Sequence, residues 1–297
     1  MTFRPKIHIL FLRCEMATNL FTNSFQLFGL TINYYGLISA LGYLMGVVIV
    51  CLIAKKRGFK TDDIITLACY VIPLAIIGAR IYYVLFSLDE FSNFWDVFKI
   101  WNGGLGFYGG LIGGAFGVVL YCLIHKKNFL KLADIVVIGL VFGQGIGRWG
   151  NFVNQEAFGY YVDNPNLQWF PFAVYIEHCH QAGCTCGGSG WHLATFFYEF
   201  VNNMIITAIL LILLYKVNFK SNGIIAACYL IMYGFCRAIV EGLRMDSLYL
   251  GPFRVSQLLS VIFILCGIAY IIFCYVRNKR KKSSFEIIMD VVKHDLD

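Results

Sequence analysis

Seven long apolar runs, at roughly 34–54, 64–86, 104–124, 132–147, 194–215, 222–240 and 255–276, are separated by short polar connections. Most approach the roughly 20 residues that a helix needs to cross a hydrocarbon core. None alternates apolar and polar residues over about ten positions, as the strand of a membrane barrel does. In lipid only helices and closed barrels satisfy every backbone polar group, so the runs predict helices. The expected fold is an all-α integral membrane protein. It is a seven-transmembrane-helix bundle, one polytopic domain over residues 1–297, with a longer loop region around 155–193. The pattern shows no internal repeat and no soluble domain.

The basic residues between the runs set the expected orientation, because short cytoplasmic loops carry an excess of Lys and Arg. Lys55, Lys56, Arg57 and Lys60 follow the first run, Lys126, Lys127 and Lys131 the third, and Lys216 and Lys220 the fifth. Arg277, Lys279, Arg280, Lys281 and Lys282 follow the seventh and open a basic tail over 277–297. The alternate loops are acidic or mixed, with Asp89, Glu90 and Asp96, then Asp163 and Glu177. The N-terminus is therefore expected outside and the C-terminus in the cytoplasm, which makes the 155–193 loop extracytoplasmic. Arg4, Lys6 and Arg13 oppose that trend, and Ile7–Leu12 is too short for a signal-peptide core. Translation starting at Met16 removes all three charges, so 1–15 is read as a mis-assigned extension, testable by the intact mass of the native protein.

Composition agrees: 59% of the residues are hydrophobic and 14% charged, too little charge to cover a soluble domain of this length. The formal charge of +7 arises from residues placed between apolar runs. That placement suits an anionic membrane surface and argues against nucleic acid as a partner. Seven of the eleven cysteines (Cys51, Cys69, Cys122, Cys228, Cys236, Cys266 and Cys274) fall inside apolar runs, where cysteine acts as a small hydrophobe. Cys179, Cys184 and Cys186 cluster in a polar loop with Glu177, His178 and His180. Their spacing fits no familiar zinc pattern, and a disulfide or free thiols is the expectation there, with no metal.

Charges inside apolar runs point to chemistry. An Arg or Glu near a helix centre costs about 2.5–3.5 kcal/mol on insertion scales, so it is a functional candidate by default. Arg80, near the outer end of the second run, is read either as such a group or as an interfacial snorkelling side chain. The stretch Gly143–Gly159 is the densest, with Arg148, Asn151, Asn154 and Glu156 among glycines at 143, 145, 147 and 150. A guanidinium fork with nearby amides suits a phosphate; helix packing through small residues is the competing reading. In the sixth run Tyr233, Arg237, Glu241 and Arg244 lie at offsets of four, eight and eleven, one face of a helix. A Gly-x-Gly-x-x-Gly at Gly104, Gly106 and Gly109 is not a dinucleotide fingerprint, since no βαβ unit surrounds it. Close helix contact is its ordinary reading.

These motifs, taken in order, resemble the phosphatidylglycerol–prolipoprotein diacylglyceryl transferase family of bacterial inner membranes. Tyr34-Tyr35-Gly36-Leu37 is similar to the family's opening, and Asn102 to Gly113 to its glycine-rich third span. Gly147-Arg148-Trp149-Gly150-Asn151 through Glu156, with Gly159, is similar to its signature. Tyr198-Glu199 and Arg237-x-x-x-Glu241-x-x-Arg244 complete the match. The resemblance implies transfer of the diacylglyceryl group from phosphatidylglycerol to the lipobox cysteine of a prolipoprotein signal peptide, with no metal or soluble cofactor. It implies Arg148 and Arg237 as catalytic groups on the lipid phosphate, and Asn151, Glu156 and Gly159 as binding residues. Glu241 would hold Arg237 or Arg244, while Tyr35 and Tyr233 line the cavity. Many family members carry a histidine, often taken as the thiol's base, where this chain has Tyr108. A phenol, with an ordinary pKa near about 10, is a poor base at neutral pH. Tyr108 is therefore a catalytic candidate that either positions the substrate or leaves the cysteine to be activated by nearby arginines. His192 stands one place from the family's histidine and inherits no role. The non-enzyme alternative is a transporter or channel for an anionic substrate, since intramembrane charges also mark ion paths.

Overall fold

In a computed structural model the protein is described over residues 24–27, 30–88, 91, 93–99, 104–177, 189–217, 219, 221–245, 247, 249, 250 and 252–294. The side chains of a few of these, among them 281–294, are excepted. The Met16 start, the three N-terminal basic residues and the cluster around Cys179, Cys184 and Cys186 lie outside the described residues.

Among the described residues, seven α-helices carry the fold: α1 (Tyr34–Ile53), α2 (Thr61–Phe86), α3 (Phe107–Ile124), α4 (Phe129–Val153), α5 (Thr195–Lys216), α6 (Ile224–Leu243) and α7 (Val255–His294). Six are long and apolar enough to cross a membrane, and Tyr108–Ile124 forms a shorter apolar helix. Large apolar side chains such as Leu44, Leu52, Leu85, Ile112, Leu123, Ile205, Phe235 and Phe273 point outward, the arrangement of a protein solvated by lipid. The cysteines of these helices are free thiols.

Short antiparallel strand pairs cap the bundle, a feature absent from the all-helical expectation. They are β1 (Ser24–Leu27) with β2 (Leu30–Asn33), β3 (Ala173–Ile176) with β4 (Gly190–Leu193), and β5 (Tyr249–Leu250) with β6 (Phe253–Arg254). Their polar backbone lies outside the helical spans, where loops tolerate it.

Small residues decide which helices meet, because between lipid-solvated helices close van der Waals contact replaces the hydrophobic drive. On α1, a Cβ at Gly42 would stand 2.8 Å from the Gly143 carbonyl oxygen of α4, and Gly46 faces Gly139 in the same way. The pair α2–α3 closes through Gly78 against Gly109 and Gly113, which makes close helix contact the role of that glycine-rich stretch. Helix α3 begins three residues later than its apolar run. Gly104 has a left-handed φ of 72°, and Gly106 donates its N–H to the Ala79 carbonyl of α2 at 2.9 Å instead of continuing a helix.

Arg80 explains that turn. Its guanidinium is buried and donates to the carbonyls of Asp96 (2.7 Å), Val97 (2.7 Å) and Gly104 (2.8 Å). It stacks on Phe91 and Tyr83 as well. Snorkelling is therefore not its state: it fastens the α2–α3 connection from below.

The basic connections meet at one end. Arg57 pairs with Asp134 at the start of α4 (3.4 Å), and Lys127 with Asp63 at the start of α2 (2.8 Å). Lys56 lies over the ring of Tyr215 at the end of α5. The fully buried Asp134 carboxylate also accepts the N–H groups of Gly223 (2.8 Å) and Ala226 (3.1 Å), capping the first turn of α6 from another helix. The alternation of basic loops is thus a spatial fact: they gather on one face of the bundle.

Candidate functional site

At the opposite end three helices converge with their charges turned inward. Arg148 stands in the last two turns of α4, Glu199 in the second turn of α5, and Arg237 and Glu241 in the last turns of α6. Arg148 Nη2 lies 2.6 Å from Glu199 Oε2, and Arg237 Nη1 2.5 Å from Glu199 Oε1. Arg237 Nη2 reaches Glu241 Oε2 at 2.7 Å, one helical turn on, while Arg244 Nη1 is 3.9 Å from Glu199 Oε1. Both carboxylates are almost fully enclosed, with Glu199 at 6% and Glu241 at 2% side-chain exposure, whereas the guanidiniums keep 12–18%. The anions therefore sit behind, and the cations front the remaining space.

The stoichiometry leaves donors over. Three guanidiniums present about fifteen N–H groups, and two carboxylates about eight lone-pair sites. Removing either carboxylate would strand buried positive charge, at a cost of several kcal/mol. An incoming phosphate is suited to such a cradle, since its oxygens accept forked hydrogen bonds without disturbing the carboxylates.

The signature stretch extends the network. Arg148 Nη1 approaches Asn151 Oδ1 at 3.4 Å, and Asn151 Nδ2 donates to Glu156 Oε1 at 2.8 Å. Beyond the end of α4 the chain turns sharply, with positive φ at Gln155 (49°) and Ala157 (58°) on either side of Glu156. Left-handed non-glycine residues cost about 1–3 kcal/mol each and gather where structure is held for function. Here they return the Glu156 carboxylate to Asn151.

Gly159, expected to bind substrate, has both backbone polar groups engaged. Its N–H donates to the Leu193 carbonyl (2.9 Å) and its carbonyl accepts from His192 Nδ1 (3.0 Å). A Cβ there would stand 2.7 Å from the Leu193 Cβ and 2.9 Å from the Leu243 carbonyl oxygen. It bridges to Arg244, so its smallness lets the signature loop lie against the end of α6. His192 is fully buried between Phe158 and Tyr161, and burial holds its imidazole below the ordinary histidine pKa. It is a strut for this loop.

The glycines of 143–150 divide their work. Gly143 faces α1 and Gly145 faces α5, where a Cβ would meet Asn203 Cβ at 3.1 Å. Gly150 carries the ring of Tyr35, 2.8 Å from a hypothetical Cβ. Small-residue packing and the polar site coexist on one helix. Tyr233 stacks on Tyr229 at 5.4 Å between centroids and lines a cleft with Glu199 and Arg237. Tyr108, in contrast, opens α3 with its ring 6.2 Å from that of Tyr82, in the α2–α3 pair.

Glu199 is the residue that sequence reasoning passed over. It appeared only as part of Tyr198-Glu199, yet it joins Arg148, Arg237 and Arg244. A single acid in an otherwise apolar helix, in a chain with intramembrane arginines, was the available signal.

The geometry defines a class: an apolar helical bundle with a buried ionic cluster in which arginines from α4 and α6 are held by carboxylates of α5 and α6. The family model of prolipoprotein diacylglyceryl transferase matches residues 22–273. The phosphatidylglycerol–prolipoprotein diacylglyceryl transferase 1 of Clostridium perfringens is 39% identical over 264 residues, 89% of this chain and 98% of the relative. The Finegoldia magna enzyme of the same name is 40% identical over 248 residues, 82% and 92% of the two chains. That of Streptococcus pneumoniae is 40% identical over 269 residues, 88% and 95%. This chain belongs to the prolipoprotein diacylglyceryl transferase family. The transporter reading finds no support among these relatives.

Proposed function

We propose that this protein transfers the diacylglyceryl group of phosphatidylglycerol to the lipobox cysteine of prolipoprotein signal peptides, in a bacterial cytoplasmic membrane. The observation that carries the reading is the convergence of Arg148, Arg237 and Arg244 on Glu199 within apolar helices. Its family membership supplies the substrates. The cysteine sulfur attacks the glycerol carbon that bears the phosphate ester. A C–S thioether forms as the C–O bond breaks, and glycerol phosphate leaves with the bonding pair. The negative charge on the departing oxygen grows through that step, and pre-oriented guanidiniums stabilise it.

Arg148 and Arg237 are assigned to the phosphate, Asn151 and Glu156 to the orientation of the headgroup, and Tyr35 and Tyr233 to the cavity wall. Glu241 and Glu199 hold the arginines. Gly159 acts behind the site by seating Arg244. Tyr108 is assigned to placing the substrate cysteine; the arginines, by favouring the thiolate, take the place of a dedicated base.

The seventh span and the topology belong to this reading. Helix α3 has 18 residues, about 27 Å at 1.5 Å per residue, close to the thickness of a hydrocarbon core. Counting it, the chain crosses seven times, with the gathered basic loops in the cytoplasm, the N-terminus outside and the site near the outer surface. The test is transfer of labelled diacylglyceryl from phosphatidylglycerol to a lipobox peptide by purified protein. Wild type transfers, Arg148→Ala does not, and Tyr108→Phe retains transfer. Folded wild type with no transfer overturns the proposal.

A further inference from the structure

A polar cleft opens beside the arginines and shares Arg237, Glu199 and Tyr233 with them. It runs between α5 and α6, has room for about one water-sized group, and is lined by Glu199, Asn202, Asn203, Tyr233, Cys236, Arg237 and Val240. Asn203 is 3% exposed, and its Nδ2 is buried with no hydrogen-bond partner among the described residues. One turn separates it from Glu199, so both side chains share a face of α5. Behind it, the bare backbone of Gly145 closes the α4 side.

An unsatisfied buried amide costs about 1–3 kcal/mol, and a native structure keeps one where something else completes it. The missing partner must be an acceptor small enough for the cleft. It must also tolerate Arg237 on the same wall. A hydroxyl meets both conditions, whereas an ammonium offers no acceptor and is repelled by the guanidinium.

Resting on the transferase reading above, we propose that Asn203 is a specificity-determining residue that donates from Nδ2 to a hydroxyl of the lipid's glycerol headgroup. The phosphate on Arg237 anchors the lipid, and the adjoining headgroup hydroxyl enters the α5–α6 cleft. A site built to hydrogen-bond a substrate hydroxyl rejects an analogue lacking it, because the buried donor is then left unpaired.

The experiment compares phosphatidylglycerol with phosphatidylpropanol, which keeps the phosphate and chain length but lacks both headgroup hydroxyls. Each is offered in mixed micelles to full-length wild type, Asn203→Leu and Asn203→Ala, with a lipobox peptide as acceptor. Wild type is expected to favour phosphatidylglycerol in kcat/KM. Either variant should shrink that preference at least about tenfold, chiefly through KM for phosphatidylglycerol. A merely structural amide would lower both lipids alike and leave the ratio intact, and that result overturns the assignment. So does a wild type that does not discriminate, which points to a buried water as Asn203's partner. Wild type inert with both lipids removes the transferase reading itself, and this assignment with it.

Discussion

Two buried ionic clusters occupy opposite ends of this bundle, and they are built differently. At the basic end the charges balance: one guanidinium, Arg57, and two backbone N–H groups from α6 meet one carboxylate, Asp134. At the other end, three guanidiniums surround two carboxylates whose lone pairs cannot engage all the donors. The balanced cluster fixes where helices end. The other gathers one more positive charge than negative, which is what the proposed phosphate would meet. Burial of charge alone therefore does not mark a candidate site; an excess of one sign does.

The sharpest way to break this contrast is at the unbalanced cluster. Arg148→Ala or Arg237→Ala should lower transfer by about 100- to 1,000-fold, since a charge-stabilising donor at a developing oxyanion is worth about 3–4 kcal/mol. The labelled-lipid assay reads this, with thermal unfolding in detergent checking that the variant is folded.

At the balanced cluster the effects should separate the other way. Asp134→Ala leaves Arg57 without its buried partner and α6 uncapped, and should destabilise the fold by about 3–5 kcal/mol. The fraction that stays folded should transfer at the wild-type rate. A folded Asp134→Ala protein with impaired chemistry would erase the distinction between the two ends.

Glu199→Gln stands between them. It keeps the shape but removes the charge shared by Arg148, Arg237 and Arg244, and kcat should fall about 10- to 100-fold. The loss should fall on kcat more than on KM, as expected for a positioning residue.

The smallest effect concerns pH. His192 is held below its ordinary pKa by burial, so the unfolded chain binds more protons than the folded one as pH drops. Stability is present above about pH 6.5, the unfolded value, and declines as pH falls through it. His192→Asn should flatten that decline, measured by thermal unfolding between about pH 5 and 8, the range in which histidine changes charge.

Much of this was legible from residue order. Runs of apolar residues predict the helices because lipid leaves the backbone no alternative, and the Lys and Arg positions predict which ends gather. The offsets of Arg237, Glu241 and Arg244 placed them on one face, and the Arg237–Glu241 pair forms as that spacing requires. Arg80 was ambiguous because a terminal arginine can turn either way; only the carbonyls of Asp96, Val97 and Gly104 decide it. The packing around Gly159 was not legible, because a glycine in a signature carries no sign of what presses on it.

The sequence by itself determined the class of the protein, its helices and the residues that carry charge into the membrane, because these follow from local hydropathy and spacing along one chain. The tertiary structure was needed to show that Glu199 joins arginines of two other helices, that Gly159 seats the loop, and that the Asn203 amide nitrogen is buried with no partner among the described residues. Those facts are distances between helices, set by which glycine faces meet, and such contacts leave no period in the sequence.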